Sequence, residues 1–351
     1  MFQKSNPVPI YLDYAATTPL LPQARDAWLH GAAIWANPSS PHAPGRAARA
    51  ALEEARARVK SALGWEGEVV FTSGASEALA LAIGRSKAPL EAVSAVEHDA
   101  VLRLAGDAPR LAVDACGRVN PDSAALAGLV VVQQVNSETG VLQDLAAIAE
   151  AVRGAGGVLL ADCAQGAGKR ALPDADLIAL SAHKFGGPIG VGALLVRDWN
   201  LLHPTGGQER GYRAGTENLP GVLAMAAALE AGSEWTSEAK RLREILESAI
   251  TQAGGEVVAV EAARSETVGS YRMQGKSANA QLIRFDAMGI AVSAGSACSS
   301  GSLKTSHVLK AMDYPHPSEV IRVSMGRETT EAEIDRFIAA WKTIAGVGVK
   351  A

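Results

Sequence analysis

Residues 176–196, DLIALSAHKFGGPIGVGALLV, contain two short apolar segments on either side of a glycine-rich turn that carries His183 and Lys184. The segments predict buried strands that end at polar or glycine residues. A lysine at a strand end, among glycines, has two interpretations. It is a solvent-exposed turn residue, or it is a Schiff-base lysine whose amine is desolvated in a pocket. The local pattern leaves both interpretations open.

The segments upstream repeat this alternation of strand and helix. Strands are predicted at 69–72, 92–96, 129–135 and 158–161, and helices at 45–63, 75–83 and 142–153. Alternating strands and helices predict a mostly parallel sheet with helices on both faces, an α/β fold.

The pattern changes in the last hundred residues. Residues 219–253 predict one or two helices, and strands are then predicted at 256–261, 267–273 and 290–293, with helices at 277–288 and 331–343. We therefore expect a large domain at 13–250. A smaller α+β domain is expected at 251–351, joined by the N-terminal arm at 1–12.

Composition narrows the class of protein. The chain has 351 residues, 48% of them hydrophobic, and a formal net charge of −4. This balance argues against broad electrostatic binding of nucleic acid, and no long apolar run predicts a membrane span. Three cysteines without a C-x-x-C pair predict neither a disulfide framework nor a zinc site, so no metal is expected. We expect a cytoplasmic enzyme.

Other residues fit the second interpretation of Lys184, a pyridoxal phosphate site. Asp162 ends a strand, where a carboxylate can keep the cofactor's ring nitrogen protonated, and Gln165 can bond the ring hydroxyl. A strand-end aspartate is also a common turn former, but the lysine downstream favours the cofactor role. The turn at 71–77 (FTSGASE) precedes a predicted helix whose N-terminus can bind phosphate. The same residues also fit an ordinary helix N-cap. Ser181 and His183 can add donors.

His98 and Asn136 each follow a predicted strand. An imidazole at His98 can stack on a pyridine ring and move protons, or it can be a structural group. Asn136 suits a turn and a ligand contact equally.

Eight motifs together resemble the cysteine desulfurases, within the class V aminotransferase group of pyridoxal phosphate enzymes. They occur in the family's order and begin at Tyr11 (YLDYAATTP), Phe71 (FTSGASEA), Glu97 (EHDAV), Asp162 (DCAQ), Ser181 (SAHKFGGP), Arg210 (RGYRAGTENLPG), Ser293 (SAGSACSSGS) and Ile321 (IRVSMGR). The resemblance implies the fold of type I pyridoxal phosphate transferases, with a seven-stranded sheet in the large domain.

The resemblance also implies roles for individual residues. Lys184 would hold the cofactor covalently, His98 would stack on its ring, Asp162 would pair with the ring nitrogen and Gln165 with the phenolic oxygen. The cofactor phosphate would be held by Ala75, Ser76, Ser181 and His183, and by Thr216 from a second subunit, which implies a homodimer. Asn136 would contact the substrate on the cofactor, and Arg322 would bind the substrate carboxylate.

Cys298 lies among serines and glycines, where an exposed thiol beside a cationic site can ionise and react. A buried structural cysteine is the usual alternative, and Cys163 and Cys116 are less suited to chemistry. The small domain would thus carry the catalytic cysteine. The resemblance implies transfer of sulfur from L-cysteine to Cys298 as a persulfide, with L-alanine as product. Lys184 and His98 would act as the acid and base that remove and return protons.

Several functions stay open at this point. A selenocysteine lyase or another class V transaminase or lyase uses the same cofactor site. A sulfur-delivery component with poor turnover in the absence of its partner is an alternative of another class, and a cofactor-free binding protein is a third. The acceptor would be an iron–sulfur scaffold, a tRNA-thiolation protein or another carrier.

Overall fold

The computed structural model describes residues 9–295 and 305–347. Within these ranges the strands, numbered in chain order, are β1 (Ile10–Tyr11), β2 (Glu68–Thr72), β3 (Leu90–Ser94), β4 (Arg110–Leu111), β5 (Leu129–Gln133), β6 (Val158–Asp162), β7 (Leu177–Ser181), β8 (Gly192–Val196), β9 (Glu256–Val257), β10 (Val268–Arg272), β11 (Ile290–Ala291) and β12 (Val320–Ser324).

The helices of the same ranges cover both faces of the sheet and the smaller part of the molecule. They are α1 (Pro22–Ala33), α2 (Ala43–Leu63), α3 (Ala75–Arg85), α4 (Asp99–Ala105), α5 (Leu145–Gly154), α6 (Leu219–Glu230), α7 (Thr236–Gln252), α8 (Ala278–Ala287), α9 (His307–Ala311) and α10 (Glu331–Ala345).

A seven-stranded sheet forms the centre of the fold, in the order β2-β8-β7-β6-β5-β3-β4. Its strands are parallel except β8, which runs antiparallel to both neighbours. Strand β5 (LVVVQ) is buried along its whole length, as expected for a parallel strand covered on both faces. The predicted α/β fold with a mostly parallel sheet is confirmed.

The adjacent parallel strands β6 and β7 bring two candidate site residues, Asp162 and Lys184, to the same edge of the sheet. Asp162, the last residue of β6, is paired with Ala179 of β7. The turn that carries Lys184 directly follows the end of β7. Because both strands point the same way, Asp162 and this turn share the carboxyl edge of the sheet, where open α/β sheets bind ligands.

The second part of the molecule has its own apolar core. It is built on the antiparallel sheet β12-β10-β9 and on α10, whose Phe337 and Trp341 are fully buried. Helix α7 directs Leu242, Leu246 and Ile250 into this same core. Core packing therefore groups α7 with the smaller domain, and the predicted boundary at residue 250 stays a proposal.

The N-terminal segment crosses between the two parts. Strand β1 pairs in parallel with β11 of the smaller part. Asp13 then forms a bridge to Ser324 at the end of β12, and Ser324 Oγ accepts a hydrogen bond from Ala15 N at 2.9 Å. The segment that follows β1 is thus fixed against β12 before the chain enters the large sheet.

The structure corrects some sequence-based expectations. The strand predicted at 256–261 is limited to Glu256–Val257, because Ala259 has a left-handed φ of 53° and turns the chain. Helix α1 and strand β12 were not predicted. In the described ranges, no helix combines the length and the apolar character that crossing a bilayer requires.

Candidate active site

A cavity of about 450 Å³ lies at the carboxyl edge of the large sheet. Its lining includes the ends of β6 and β7 with Asp162 and Lys184, the N-terminus of α3, and Arg322 of β12. Polar groups from both parts of the molecule therefore converge on one space large enough for a small cofactor and substrate.

Lys184 occupies the short 3₁₀ turn Ala182–Lys184 that directly follows β7. Its Nζ donates hydrogen bonds to Ala15 O at 2.7 Å and to Ala16 O at 2.9 Å. Thr18 Oγ1 in turn donates to Lys184 O at 3.0 Å. The N-terminal segment therefore fixes both the backbone and the amine of this lysine at the cavity wall.

Asp162 is a buried carboxyl group at the cavity wall. Its Oδ1 accepts a hydrogen bond from Ala164 N at 2.9 Å. Burial raises the pKa of this carboxyl, while the Ala164 amide and the positive charges of His98 and Lys184 act in the opposite direction. A buried carboxylate gains most from a cationic hydrogen-bond donor placed against it.

Gln165 also lines the cavity, and only the nitrogen of its side-chain amide is hydrogen-bonded. Its Nε2 donates to Ala15 O at 2.8 Å. Its Oε1 is buried and has no partner among the described residues. An acceptor left in this state destabilises the fold unless a ligand supplies the missing hydrogen, and a ring hydroxyl is such a donor.

The N-terminus of α3 forms another part of the cavity wall. Ala75 and Ser76 line it, behind Gly74. A Cβ on Gly192 would lie 2.6 Å from Gly74 Cα, so glycine lets β8 and this turn approach closely. The free backbone N–H groups and the dipole of an 11-residue helix favour an anion here.

Ser181 and His183 also line the cavity. Burial, with the nearby charges of Lys184 and Lys169, lowers the pKa of His183 to about 4. The imidazole is therefore neutral at pH 7 and can donate one ring N–H. Its Nδ1 lies 3.2 Å from Thr17 Oγ1.

His98 caps α4 and lines the cavity. Its Nδ1 accepts a hydrogen bond from Ala100 N at 3.1 Å, so in the neutral ring the proton resides on Nε2. The preceding Glu97 is buried, and its Oε1 accepts from Gln133 N at 2.7 Å. Burial and the charge of Asp162 hold the pKa of Glu97 well above its usual value.

Arg322 reaches the cavity from β12, and its partner was not predictable from the sequence. Its Nη2 donates to Asp13 Oδ1 at 2.6 Å and its Nη1 to Ser137 O at 3.0 Å. Its buried Nε has no hydrogen-bond partner among the described residues. Asp13 lies in the YLDYAATTP motif. The motif therefore indicated a functional segment, but it did not predict that Asp13 bonds Arg322.

Two other candidates lie away from the cavity wall. The Asn136 side chain is bonded to backbone: its Nδ2 donates to Val96 O, and its Oδ1 accepts from Glu138 N and Thr139 N. The neighbours Val135 and Ser137 line the cavity instead. Thr216 is exposed on the surface. The ligand roles of Asn136 and Thr216 stay predictions.

Cys298 lies outside the described residues, and the other two cysteines are free thiols. Cys163 is buried, and burial, with the charges of Asp162 and Glu97, raises its pKa well above the usual value. Cys163 therefore stays a protonated, weakly reactive thiol.

Comparisons with known proteins agree with this geometry. The sequence profile of the Aminotransferase class-V family matches residues 10–337. A cysteine desulfurase of Bradyrhizobium diazoefficiens is 37% identical, with 95% of this chain and 94% of that protein covered. The chain belongs to the class-V aminotransferase family, in its cysteine desulfurase branch.

Solved structures of class-V aminotransferase relatives share the fold. A NifS-like protein from Rickettsia africae superposes with a TM-score of 0.87 and 29% identity, over 97% of this chain and all of that one. A structure described as SspA in complex with cysteine superposes with a TM-score of 0.78 and 26% identity, over 92% of this chain and all of that one.

Class-V aminotransferases of the desulfurase branch depend on pyridoxal phosphate, and the cavity fits that group. The unpartnered Gln165 Oε1 suits the ring hydroxyl, the buried Asp162 carboxyl suits a protonated ring nitrogen, and the α3 N-terminus suits the phosphate. Lys184 Nζ would take the aldehyde.

Proposed function

We propose that this cysteine desulfurase family member removes sulfur from L-cysteine, releases L-alanine, and leaves a persulfide on Cys298 for delivery to an acceptor. The observation that carries the proposal is the meeting of Lys184, Asp162 and Arg322 in one cavity. Such a cavity suits an amino acid whose carboxylate is bound at one end and whose Cα lies beside an amine.

The proton steps belong to Lys184 and His98. Pyridoxal phosphate, when bound, supplies an electron sink for the negative charge that develops at the substrate Cα. Lys184 Nζ removes the Cα proton, and His98 Nε2 or Lys184 returns a proton. Asp162 would keep the ring nitrogen of the bound cofactor protonated, because a buried carboxylate is stabilised by a cationic hydrogen-bond donor.

The sulfur step belongs to Cys298. Its thiolate attacks the substrate sulfur, so that an S–S bond forms while the substrate Cβ–S bond breaks. The electron pair of the broken bond is left on Cβ and is protonated to give alanine. Atoms and electrons balance without an external oxidant, since the product on the protein is a persulfide.

The assembly and the acceptor are further parts of the proposal. Thr216 is exposed. Three residues before it, Arg213 Nε donates a hydrogen bond to Glu77 Oε1 of α3 at 2.9 Å. We place Thr216 against the cofactor phosphate of a second subunit in a homodimer. An iron–sulfur scaffold or a tRNA-thiolation protein in the cytoplasm would take the sulfur.

The direct test is to add L-cysteine to the pure, cofactor-loaded protein. We expect a change in the visible absorbance of the cofactor, release of alanine, and a mass increase of one sulfur atom on the peptide that contains Cys298. Alanine release without sulfur on that peptide would overturn the proposal, as would a colourless protein that no added pyridoxal phosphate turns yellow.

Replacing Asp162 by asparagine should slow alanine release by at least ~10²-fold, since a neutral amide cannot hold the ring nitrogen protonated. The visible spectrum of the cofactor should also shift. Asp144 at the N-cap of α5 offers a matched control, because asparagine caps helices equally well. Equal rates for the Asp162→Asn and Asp144→Asn proteins would remove Asp162 from the proposed role.

Replacing Asp13 by asparagine should raise the KM for L-cysteine about tenfold, with a smaller effect on kcat. Asp13 orients Arg322 through a charge-assisted hydrogen bond of 2.6 Å, and such bonds contribute about 1.5–3 kcal/mol. The exposed Asp26, paired with its neighbour Arg25, is the control position. A lower KM would show that Asp13 competes with the substrate carboxylate instead of positioning Arg322.

A further inference from the structure

An acidic side chain lies in the wall where the cofactor phosphate is expected. Glu77, in the first turn of α3, lines the active-site cavity together with Ala75 and Ser76. A carboxylate there repels a bound phosphate group, which carries a charge of about −1.5 to −2 at pH 7. The proton and sulfur steps give Glu77 no role. Tight binding of phosphate therefore requires that the charge of Glu77 be compensated.

The contacts of Glu77 keep its carboxylate ionised. Its Oε2 accepts a hydrogen bond from Ser73 N, and its Oε1 accepts one from Arg213 Nε at 2.9 Å. Burial opposes ionisation, but the bonds from Arg213 and from the Ser73 amide lower the pKa of Glu77 below its usual value. The negative charge is therefore present at pH 7, in the turn that leads into α3.

Arg213 supplies the compensating positive charge. In this ion pair the side chain of Arg213 is 19% exposed and that of Glu77 is 29% exposed. Because both are largely shielded from solvent, salt screens the pair less than it screens a surface pair. The charge of Glu77 is thus neutralised locally, and the backbone N–H groups and dipole of α3 stay available to an anion.

The segment that carries Arg213 is fixed to the strand before the phosphate turn. Glu209 is buried, and its Oε2 accepts a hydrogen bond from Phe71 N of β2 at 2.8 Å. Both of its carboxylate oxygens also accept from the guanidinium of Arg56. Glu209 has a left-handed φ of 47°, which is uncommon for a residue other than glycine, and these bonds hold it there. The position of Arg213 is therefore set by contacts outside the cavity.

We propose that Arg213 is a positioning residue for the cofactor phosphate. By neutralising Glu77, it lets the N-terminus of α3 accept a dianion while the Glu77 carboxylate keeps the Ser73 N–H bonded. This role rests on the proposed function, in which α3 holds that phosphate. It operates within one chain and is separate from the contact that Thr216 would make in a second subunit.

The test compares the binding of pyridoxal phosphate and of pyridoxal, which lacks the phosphate, to the full-length protein stripped of cofactor, with visible absorbance as the readout. Arg213→Met should weaken pyridoxal phosphate at least ~10-fold and pyridoxal less than ~2-fold, since only the phosphate meets the uncompensated charge of Glu77. Adding Glu77→Gln to Arg213→Met should raise the affinity for pyridoxal phosphate at least ~3-fold again.

Arg210→Met is the matched control. Arg210 belongs to the same segment and pairs with Glu68 of β2 at 2.8 Å, and neither residue lines the cavity. This protein should bind both compounds as wild type does. The control shows that loss of an arginine ion pair from this segment is not by itself sufficient to weaken the cofactor.

Three results would overturn the proposal: unchanged pyridoxal phosphate affinity in Arg213→Met, equal weakening of both compounds, or a double variant that binds no more tightly than Arg213→Met. Glu77→Gln alone gives a test that does not depend on the Arg213→Met protein folding. It should bind pyridoxal phosphate at least as tightly as wild type, and weaker binding would refute the role. A wild-type protein that binds no pyridoxal phosphate would overturn the proposed function itself.

Discussion

The Lys184→Ala protein is expected to lack the visible absorbance of a lysine-linked cofactor and to release alanine from L-cysteine at least ~10³-fold more slowly than wild type. Lys184 Nζ is the amine at the cavity wall that two backbone carbonyls, Ala15 O and Ala16 O, hold in place. Alanine at this position removes both the covalent link and the group that moves the Cα proton.

Two measurements separate a chemical role of Lys184 from a structural one. Borohydride reduction followed by peptide mass spectrometry should label Lys184 in wild type and no lysine in the variant. Lys240→Ala, at a lysine of α7 whose side chain is 58% exposed, is the matched control and should keep colour and rate. A yellow Lys184→Ala protein with full activity would disprove the assignment of this lysine.

The Cys298→Ser protein is expected to keep its cofactor colour, to form no persulfide, and to release alanine at least ~10²-fold more slowly than wild type. A serine oxygen cannot accept the substrate sulfur as a stable persulfide, because the thiolate is the attacking nucleophile in such exchanges. The expected pattern therefore differs from that of Lys184→Ala, in which the colour itself is lost.

Cys116→Ser is the matched control for Cys298→Ser, because Cys116 is a free thiol in a surface turn and its backbone N–H donates to Asp114 Oδ1. This protein should behave as wild type in colour, alanine release and persulfide mass. Sulfide release at the full rate from the Cys298→Ser protein, or a persulfide on Cys116, would refute the proposed sulfur step.

The sequence was sufficient to predict six strands of the large sheet, because they are short, apolar and separated by helices or turns, but it did not predict the two-residue strand β4. Strands β5 and β6 were located from runs of valine and leucine that are buried on both faces. The membership of α7 was not predictable in this way. Its apolar stripe is visible in the sequence, but the stripe does not show which of two cores it packs against.

The sequence also identified most of the cavity wall, because Lys184, Asp162 and the α3 N-terminus each follow a strand. It did not identify Asp13 as the partner of Arg322, since 309 residues separate them and a carboxylate near the N-terminus has no local signature. The ligand contact of Asn136 stays a prediction, and the structure shows its amide bonded to the backbone of its own turn and to Val96 O. Side-chain direction within a turn depends on packing that the sequence alone does not give.

The contacts of Asp13 and Ala15 with β12 have a consequence for how the protein is made. The segment that holds Lys184 and Arg322 is synthesised before the large sheet, yet its partner Ser324 follows 309 residues later. At about 5–20 residues per second, this wait lasts roughly 15–60 s. A nascent chain can therefore build its central sheet before β12 exists to fix the segment that holds the Lys184 amine.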